Sequence, residues 1–585
     1  MRKKTTTQLS LILLCFVSLL VVACGSGGGA AVQGVNHQKA SASQQILVDG
    51  YKGAGTPDIA TFDPALDPDI ISAYAITAVF TGLVQLDDNI QVKPQLASNW
   101  DISPDRLTYT FHLKPNLKFS DGTPLTSADV VYSIDRALDP ATQSGVAPYY
   151  LRFIKDATKR STGGMKTLIG DSLLAPDPST VKIIAASPVA FFLEALTYPT
   201  SYVVEKSVVT KWGKSWTDHL GDNNGQGGAG PFKVSMYEHN KQIVLVPNAN
   251  YYSTPPQLRE LIIPFYKVSD TAYQVYQTNG IDTTTVPLAD YPQAKTRSDF
   301  FRVPSLAINY YTMNYKQKPF DVIACRQAFA LAVNKDLIVN NVWQGSYIAT
   351  NHIVPKGQYG YNPGLTGPDN TASTGGDPTR ARQMLQQCMQ QQGYSSVANI
   401  PAITLTYASS GVQAARNEVA ALQQMWQTVL GIQVHTDDID FNKLVSYNTS
   451  GANNPLQFYA GPGWIADYPD PQDWTTLQFD KGSSENGMSF GQNNGPDAAA
   501  QQQVQTQLEA ADLIADPTAR EQAYWKAEQQ LVNDVAWLPT YQTTLFGLIK
   551  PCVQGIVTPA SGLMPPNDWA RVYISIATPC ARTPQ

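Results

Sequence analysis

Charge is what this sequence has least of. Only 15% of its 585 residues are Asp, Glu, Lys or Arg, and the formal net charge is −6. The polar surface must come from Gln, Asn, Ser and Thr. There is no tract of like charge, and a sparsely charged acidic chain is a poor partner for nucleic acid. Histidine and cysteine are scarce as well, six of each. No CxxC pair and no His–Cys cluster with metal-ligand spacing occurs, so no metal site is expected. HExxH, GxSxG and GxxxxGK[ST] are missing too, which removes the signatures of zinc protease, esterase and P-loop chemistry. Neither an enzyme nor a cofactor is expected.

What is present points to a folded, exported chain. Hydrophobic residues make up 43% and aromatics 10%, a globular composition. The length exceeds what one core supports, and about two to four domains are expected. Arg2-Lys3-Lys4 precedes an apolar run, Leu9 to Ala23, too short for a membrane span and ending in small residues, as a secretory signal does. Val21-Val22-Ala23-Cys24 resembles a bacterial lipobox. That resemblance implies cleavage after Ala23 and acyl chains on Cys24, which anchor the chain to the membrane. Gly25 to Gln45 is small and polar, a flexible tether. The remaining cysteines, Cys325, Cys388, Cys552 and Cys580, permit two disulfides in an exported chain. Pairing nearer partners gives Cys325–Cys388 and Cys552–Cys580; the alternative is four buried thiols.

Periodicity suggests alternating helices and strands. Ile71 to Val84 is helical, Leu107 to Leu113 alternates as a half-buried strand, and Ser127-Ala128-Asp129 opens an amphipathic helix. Gly225 to Gly230 matches GxGxxG, but Asp222-Asn223-Asn224 precedes it where a strand is needed and strand-like Gln242 to Val246 follows, so a dinucleotide loop is rejected. Asn309 to Asn314 is strand-like, and Asp321 to Gln344 forms one long helix stopped by Gly345. Asp377-Pro378 starts another helix that Gly393 ends. Ala402 to Tyr407 is a strand and Val412 to Leu430 a helix. Two more helices, Asp497 to Ala515 and Pro517 to Asp534, follow. Such alternation is that of an α/β lobe.

One stretch organises the rest, Gly461-Pro462-Gly463-Trp464-Ile465-Ala466-Asp467-Tyr468-Pro469-Asp470-Pro471. Its breakers exclude a helix and a long interior strand. Its aromatics are too large for an ordinary loop and its acids too polar for a core. It is either a rigid ligand wall or a structural loop whose aspartates make turns. Asp467, Asp470 and Asp473 could act as glycosidase carboxylates, but their proline-rich setting speaks against it.

Gly463 to Pro471 resembles the ligand-wall segment of the oligopeptide-binding proteins, the extracellular solute-binding proteins of family 5 that serve ABC importers. Lys118-Phe119-Ser120-Asp121-Gly122-Thr123-Pro124-Leu125-Thr126 with Asp129-Val130, Pro94-Gln95-Leu96-Ala97 through Trp100, and Gly228 to Phe232 resemble further signatures of that family. The resemblance covers roughly Ile46 to the C-terminus. It implies an α/β, two-lobed periplasmic-binding-protein fold (type II, cluster C-like) with an extra inserted domain. Lobe I would be 46–81, 201–304 and 546–585, the inserted domain 82–200, and lobe II 305–545. It implies a monomeric, non-enzymatic lipoprotein that binds extended peptides and delivers them to ABC transporter permease subunits. Asp467 would hold the peptide ammonium. Gly463, Trp464, Ile465 and Ala466 would line one side, Pro68 to Ile71, with Ile70 and Ile71, the other, and Tyr149 would reach in from the inserted domain. Some relatives carry an arginine for the peptide carboxylate where this chain has Gly461. The same fold carrying a nickel chelate or an oligosaccharide is the alternative; a secreted hydrolase is disfavoured.

Overall fold

The computed structural model describes residues 37–449 and 451–581. The leader and Cys24 lie outside them. The tether ends sooner than composition suggests. Lys39 bridges Ser575, and Gln45 donates to the carbonyls of Ala40 and Ile574, both at 2.9 Å. The partners are supplied by the far end of the chain, where a local reading cannot see them.

Three sheets carry the fold. The first has strand order Ile46–Val48, Glu260–Pro264, Gln242–Pro247, Phe232–Glu238. The second is antiparallel, in the order Ala97–Ile102, Thr108–Leu113, Thr180–Ile184, Leu173–Asp177. The third is eight-stranded. Its spine is Thr283–Thr285, Leu538–Ile549, Phe300–Met313, Phe458–Ala460, Ile403–Tyr407 and Val434–Asp438. Each rests on its own core: Leu47, Phe232, Leu261 and Trp569 in the first, Phe111, Val130, Ile134 and Ile183 in the second, Phe329, Leu405, Trp426 and Phe458 in the third.

Local chemistry explains most elements. Thr108–Leu113 alternates between half-buried and buried as its sequence requires. The helix Ser127–Ala137 starts with a capping box between Thr126 and Asp129. Asp377 caps Pro378–Gln392 by accepting from Thr379 and Arg380 N–H groups. Gly228 and Gly230 sit against the end of the helix Ile70–Val79. A Cβ at Gly228 would stand 2.2 Å from the Val79 carbonyl oxygen and one at Gly230 2.5 Å from the Val79 carbonyl carbon, so these two glycines serve close packing.

Four expectations change. The helix expected over 71–84 stops at Val79, because Phe80 turns extended and packs edge-on against Trp216. The helix expected over 321–344 is broken into Ile323–Leu331, Lys335–Leu337 and a π-turn at Ile338–Val342. Asn334 caps the second piece, and Asp377 N–H takes the Leu331 carbonyl. The strand at 309–314 is the end of a fourteen-residue strand, Phe300–Met313. Its pairing with Leu538–Ile549 shifts register between Pro304 and Ile308 and again at Asn309–Tyr310; Pro304 has no N–H to give the ladder. Finally, a short helix does begin inside the proline-rich wall, Pro471–Trp474, with Asp470 as its cap.

Disulfides join Cys325 to Cys388 (S–S 2.09 Å) and Cys552 to Cys580 (2.19 Å). Asp282 lies within 4.8 Å of the second pair, but sulfurs bonded to each other are not free thiolate ligands. Among the described residues no helix is long and apolar enough to cross a membrane.

Candidate functional site

The segment after strand Phe458–Ala460 is fastened along its length to the long strand Phe300–Met313. Gly461 N–H donates to the Tyr310 carbonyl at 2.9 Å. A Cβ at Gly461 would fall 2.2 Å from Tyr310 Cε2. Tyr310 is buried and stacked on Trp537 with centroids 3.6 Å apart. No side chain, arginine included, fits at 461 while that stack stands. Gly463 follows at φ +80°, a conformation that favours glycine. Trp464 and Ile465 then form a two-residue strand paired with Ile308 and Ala307, and Ala466 N–H donates to Leu306 O at 2.9 Å. Those partners occupy the register shift of the long strand. Ile465 is 64% exposed, an apolar side chain left open for contact.

Beyond Ala466 the three aspartates take three different roles. Asp470 forms a bidentate ion pair with Arg520, both distances 2.6 Å, with both side chains buried. It is structural. Asp473 is fully buried, and its Oδ2 accepts from Trp464 Nε1 and from the backbone N–H of Asp467, each at 3.1 Å. Burial, then the charge of Asp467, pushes its carboxyl well above the usual carboxylate range. Asp467 is half-buried, and its Oδ1 accepts the Tyr150 hydroxyl at 2.6 Å. Burial pushes its carboxyl up to about 6, against the pull of the Tyr150 bond. Among the described residues no Lys, Arg or His side chain is ion-paired with it, while the charge of Arg152 favours its anion without a direct pair.

The opposite side of this carboxylate is aromatic. Tyr150 stacks on Tyr198 at 3.5 Å, and Tyr149 meets Tyr150 edge-on at 5.2 Å. The Tyr149 hydroxyl is buried near Asp467 but outside hydrogen-bond geometry. Arg152 lies over the rings of Tyr149 and Phe153, at 4.7 and 4.8 Å. Tyr468 turns away from Asp467 and stacks on Phe191 at 5.5 Å.

Of the residues expected at the site, Trp464, Asp467 and Tyr149 come together. Gly463, Ile465 and Ala466 are the edge that carries them. Ile70 and Ile71 begin a helix capped by Asp69, and Ile70 is 43% exposed. They connect to Asp467 through Tyr198, whose hydroxyl donates to the Asp67 carbonyl at 3.2 Å and whose ring stacks on Tyr150. Sequence reasoning missed Tyr150, and it weighed Asp473 only as a catalytic carboxylate, not as a support for Asp467. The Tyr149-Tyr150 doublet and the third acid of the wall were the available signals.

The profile of the bacterial extracellular solute-binding proteins, family 5 (middle region), matches residues 91–486. The oligopeptide-binding protein OppA of Bacillus subtilis is 26% identical over 561 residues, 94% of this chain and 96% of that protein. The dipeptide-binding protein DppE of the same organism is 25% identical over 551 residues, 92% of this chain and 94% of that one. A probable deoxycholate-binding periplasmic protein of Escherichia coli, YgiS, is 26% identical over 501 residues, 85% and 89% of the two chains. Among solved structures, the unliganded open form of the periplasmic murein tripeptide-binding protein MppA superposes with TM-score 0.74 at 24% identity, covering 92% of this chain and 98% of that one. Listeria monocytogenes OppA bound to peptide gives 0.66 at 24%, covering 91% and 99%. The two-lobed α/β fold is thus the fold of this group, and the chain belongs to the bacterial extracellular solute-binding proteins of family 5.

Proposed function

We propose that this protein captures extended peptides outside the cytoplasmic membrane and delivers them to the permease subunits of an ABC importer, with Asp467 holding the peptide's α-ammonium group. The observation that carries this is a half-buried carboxylate, without an ion-paired cation of its own among the described residues, at the end of an exposed apolar edge. An ammonium fits it in charge, and the edge Gly463 to Ala466 with Ile70 and Ile71 opposite offers apolar contact along an extended chain. Lobe I is 46–81, 201–304 and 546–585, the inserted domain 82–200 and lobe II 305–545. In support, the first two sheets fall within lobe I and the inserted domain, and among the described strands only Phe300–Met313 and Leu538–Ile549 cross between the stretches given to lobe I and lobe II. The lobes close around the ligand at those two strands. Cys24 carries the lipid anchor, and Cys24→Ser should release the protein from the membrane fraction; continued membrane retention with an uncleaved leader would refute this.

The deciding test is titration calorimetry on unlipidated protein with a free tripeptide and its N-acetylated form. Leaving one partner of a desolvated charge pair alone costs about 2–5 kcal/mol. Asp467→Asn should therefore weaken free peptide about thirty-fold or more. Acetylation should do the same, and the two changes should not add, because each removes one interaction. The match to a probable deoxycholate-binding relative supports a second reading, a non-peptide solute. Equal binding of free and acetylated peptide would favour it.

A further inference from the structure

Asp473 stands six residues beyond Asp467, in the turn Pro471–Trp474, and is 0% exposed. One oxygen, Oδ2, accepts two N–H groups, from the Trp464 indole and the Asp467 backbone. The other, Oδ1, is buried and has no hydrogen-bond partner among the described residues. The two acids are tied by the Asp467 N–H bond to Asp473 Oδ2 at 3.1 Å, and the charge of Asp467 acts on the Asp473 carboxyl. As two anions they would combine a desolvated, unpaired oxygen with like-charge repulsion. A proton on Asp473 Oδ1 removes both penalties. The unpaired acceptor becomes a donor, and Asp467, whose backbone N–H Asp473 already holds, carries the neighbouring carboxylate.

We propose that Asp473 is a positioning residue for ligand capture: its carboxyl group carries a proton and donates it to Asp467, fixing the Asp467 carboxylate toward the ligand ammonium. The proposal rests on the reading of Asp467 as the ammonium acceptor. Asp473 then holds its neighbour twice, by the backbone N–H through Oδ2 and by the carboxylate through Oδ1. It also holds Trp464, so a single buried acid fixes both ends of the wall. With Tyr150 donating from the other side, Asp467 has two O–H donors setting its plane, and lone pairs remain for the ligand.

Two substitutions separate this role from plain loop support. Asp473→Asn keeps an acceptor for the two N–H groups and a donor for Asp467. Asp473→Ala removes both. Each is titrated with the free tripeptide and its N-acetylated form. Asp473→Asn should bind both peptides within about threefold of the wild type, because the amide reproduces the neutral acid's bonds. Asp473→Ala should lose about tenfold or more on the free peptide, as expected for a lost hydrogen bond to a charged group. Acetylated peptide should change by less than about threefold, since it never used the ammonium contact. An Asn variant as impaired as the Ala variant overturns the proposal, since an anion would then be required. Equal losses on both peptides in the Ala variant also overturn it, leaving only loop support. A wild type indifferent to acetylation overturns the Asp467 reading, and this inference with it. Should the Ala variant lose its folded circular-dichroism signature, the Asn variant decides alone.

Discussion

Capture through an ammonium should be confined to a window of about two pH units, with both edges fixed by chemistry. The acid edge is Asp467, whose carboxyl is pushed up to about 6 because burial disfavours its charge. The alkaline edge is the peptide's own amino group, which loses its proton near pH 7.7–8.0, roughly the ordinary value for a chain terminus. The ligand cation requires the anion, so it competes with the proton at Asp467. Binding is therefore full above pH 6 and is lost as pH falls through it, by about tenfold per pH unit. At pH 5 roughly one site in ten is anionic, and the dissociation constant of a free tripeptide should rise about tenfold relative to pH 7. Asp473, whose carboxyl is pushed up by burial and by the Asp467 charge, is common to wild type and Asp467→Asn. Glu485 is also pushed up by burial and feels the Asp467 charge, so the control must remove Asp467 alone. Titration calorimetry from pH 4.5 to 9 would compare free and N-acetylated peptide on wild type and Asp467→Asn. At pH 6, experiments in two buffers of different ionisation enthalpy should show uptake of free peptide releasing about half a proton. A free-peptide dissociation constant unchanged between pH 7 and 5 would refute the reasoning. So would an acid-side loss of equal size for the acetylated peptide or for the Asn variant.

Gly461→Ala puts a carbon 2.2 Å from Tyr310. Forcing the Tyr310–Trp537 stack aside should cost about 1–3 kcal/mol in a denaturant titration, an overpacking penalty; an unchanged midpoint would contradict the packing described. Arg520→Ala leaves Asp470 buried and alone. It should cost about 3–5 kcal/mol, and a double change to Asp470→Leu with Arg520→Met should recover much of that loss. If the single variant is as stable as the wild type by chemical unfolding, Asp470 is not held as described.

Much of the architecture could be read from residue order. The alternating strand Thr108–Leu113, the helix opened by Ser127-Ala128-Asp129 and the Asp377-Pro378 start each rest on interactions between near neighbours, and these appear where expected. The failures share one cause. Phe80 leaves the helix because Trp216 packs against it, and the helix after Asp321 breaks where Asp377 takes a carbonyl from Leu331. Both partners come from distant parts of the chain. At the site, the wall and its acids were visible, because breakers beside aromatics are unusual in any segment. The division of labour among Asp467, Asp470 and Asp473 was not. It depends on Arg520, Tyr150 and Trp464, which only folding brings beside one acid or another.

The bonds from Trp464, Ile465 and Ala466 to Ile308, Ala307 and Leu306 attach the wall to the irregular stretch of a strand that crosses the proposed lobe boundary. If bending is concentrated in that stretch, the edge that grips a ligand is also the edge that opening strains. Ligand residence time and lobe opening then become one mechanical event, and a substitution at Leu306 that stiffens the stretch should lengthen the first by slowing the second.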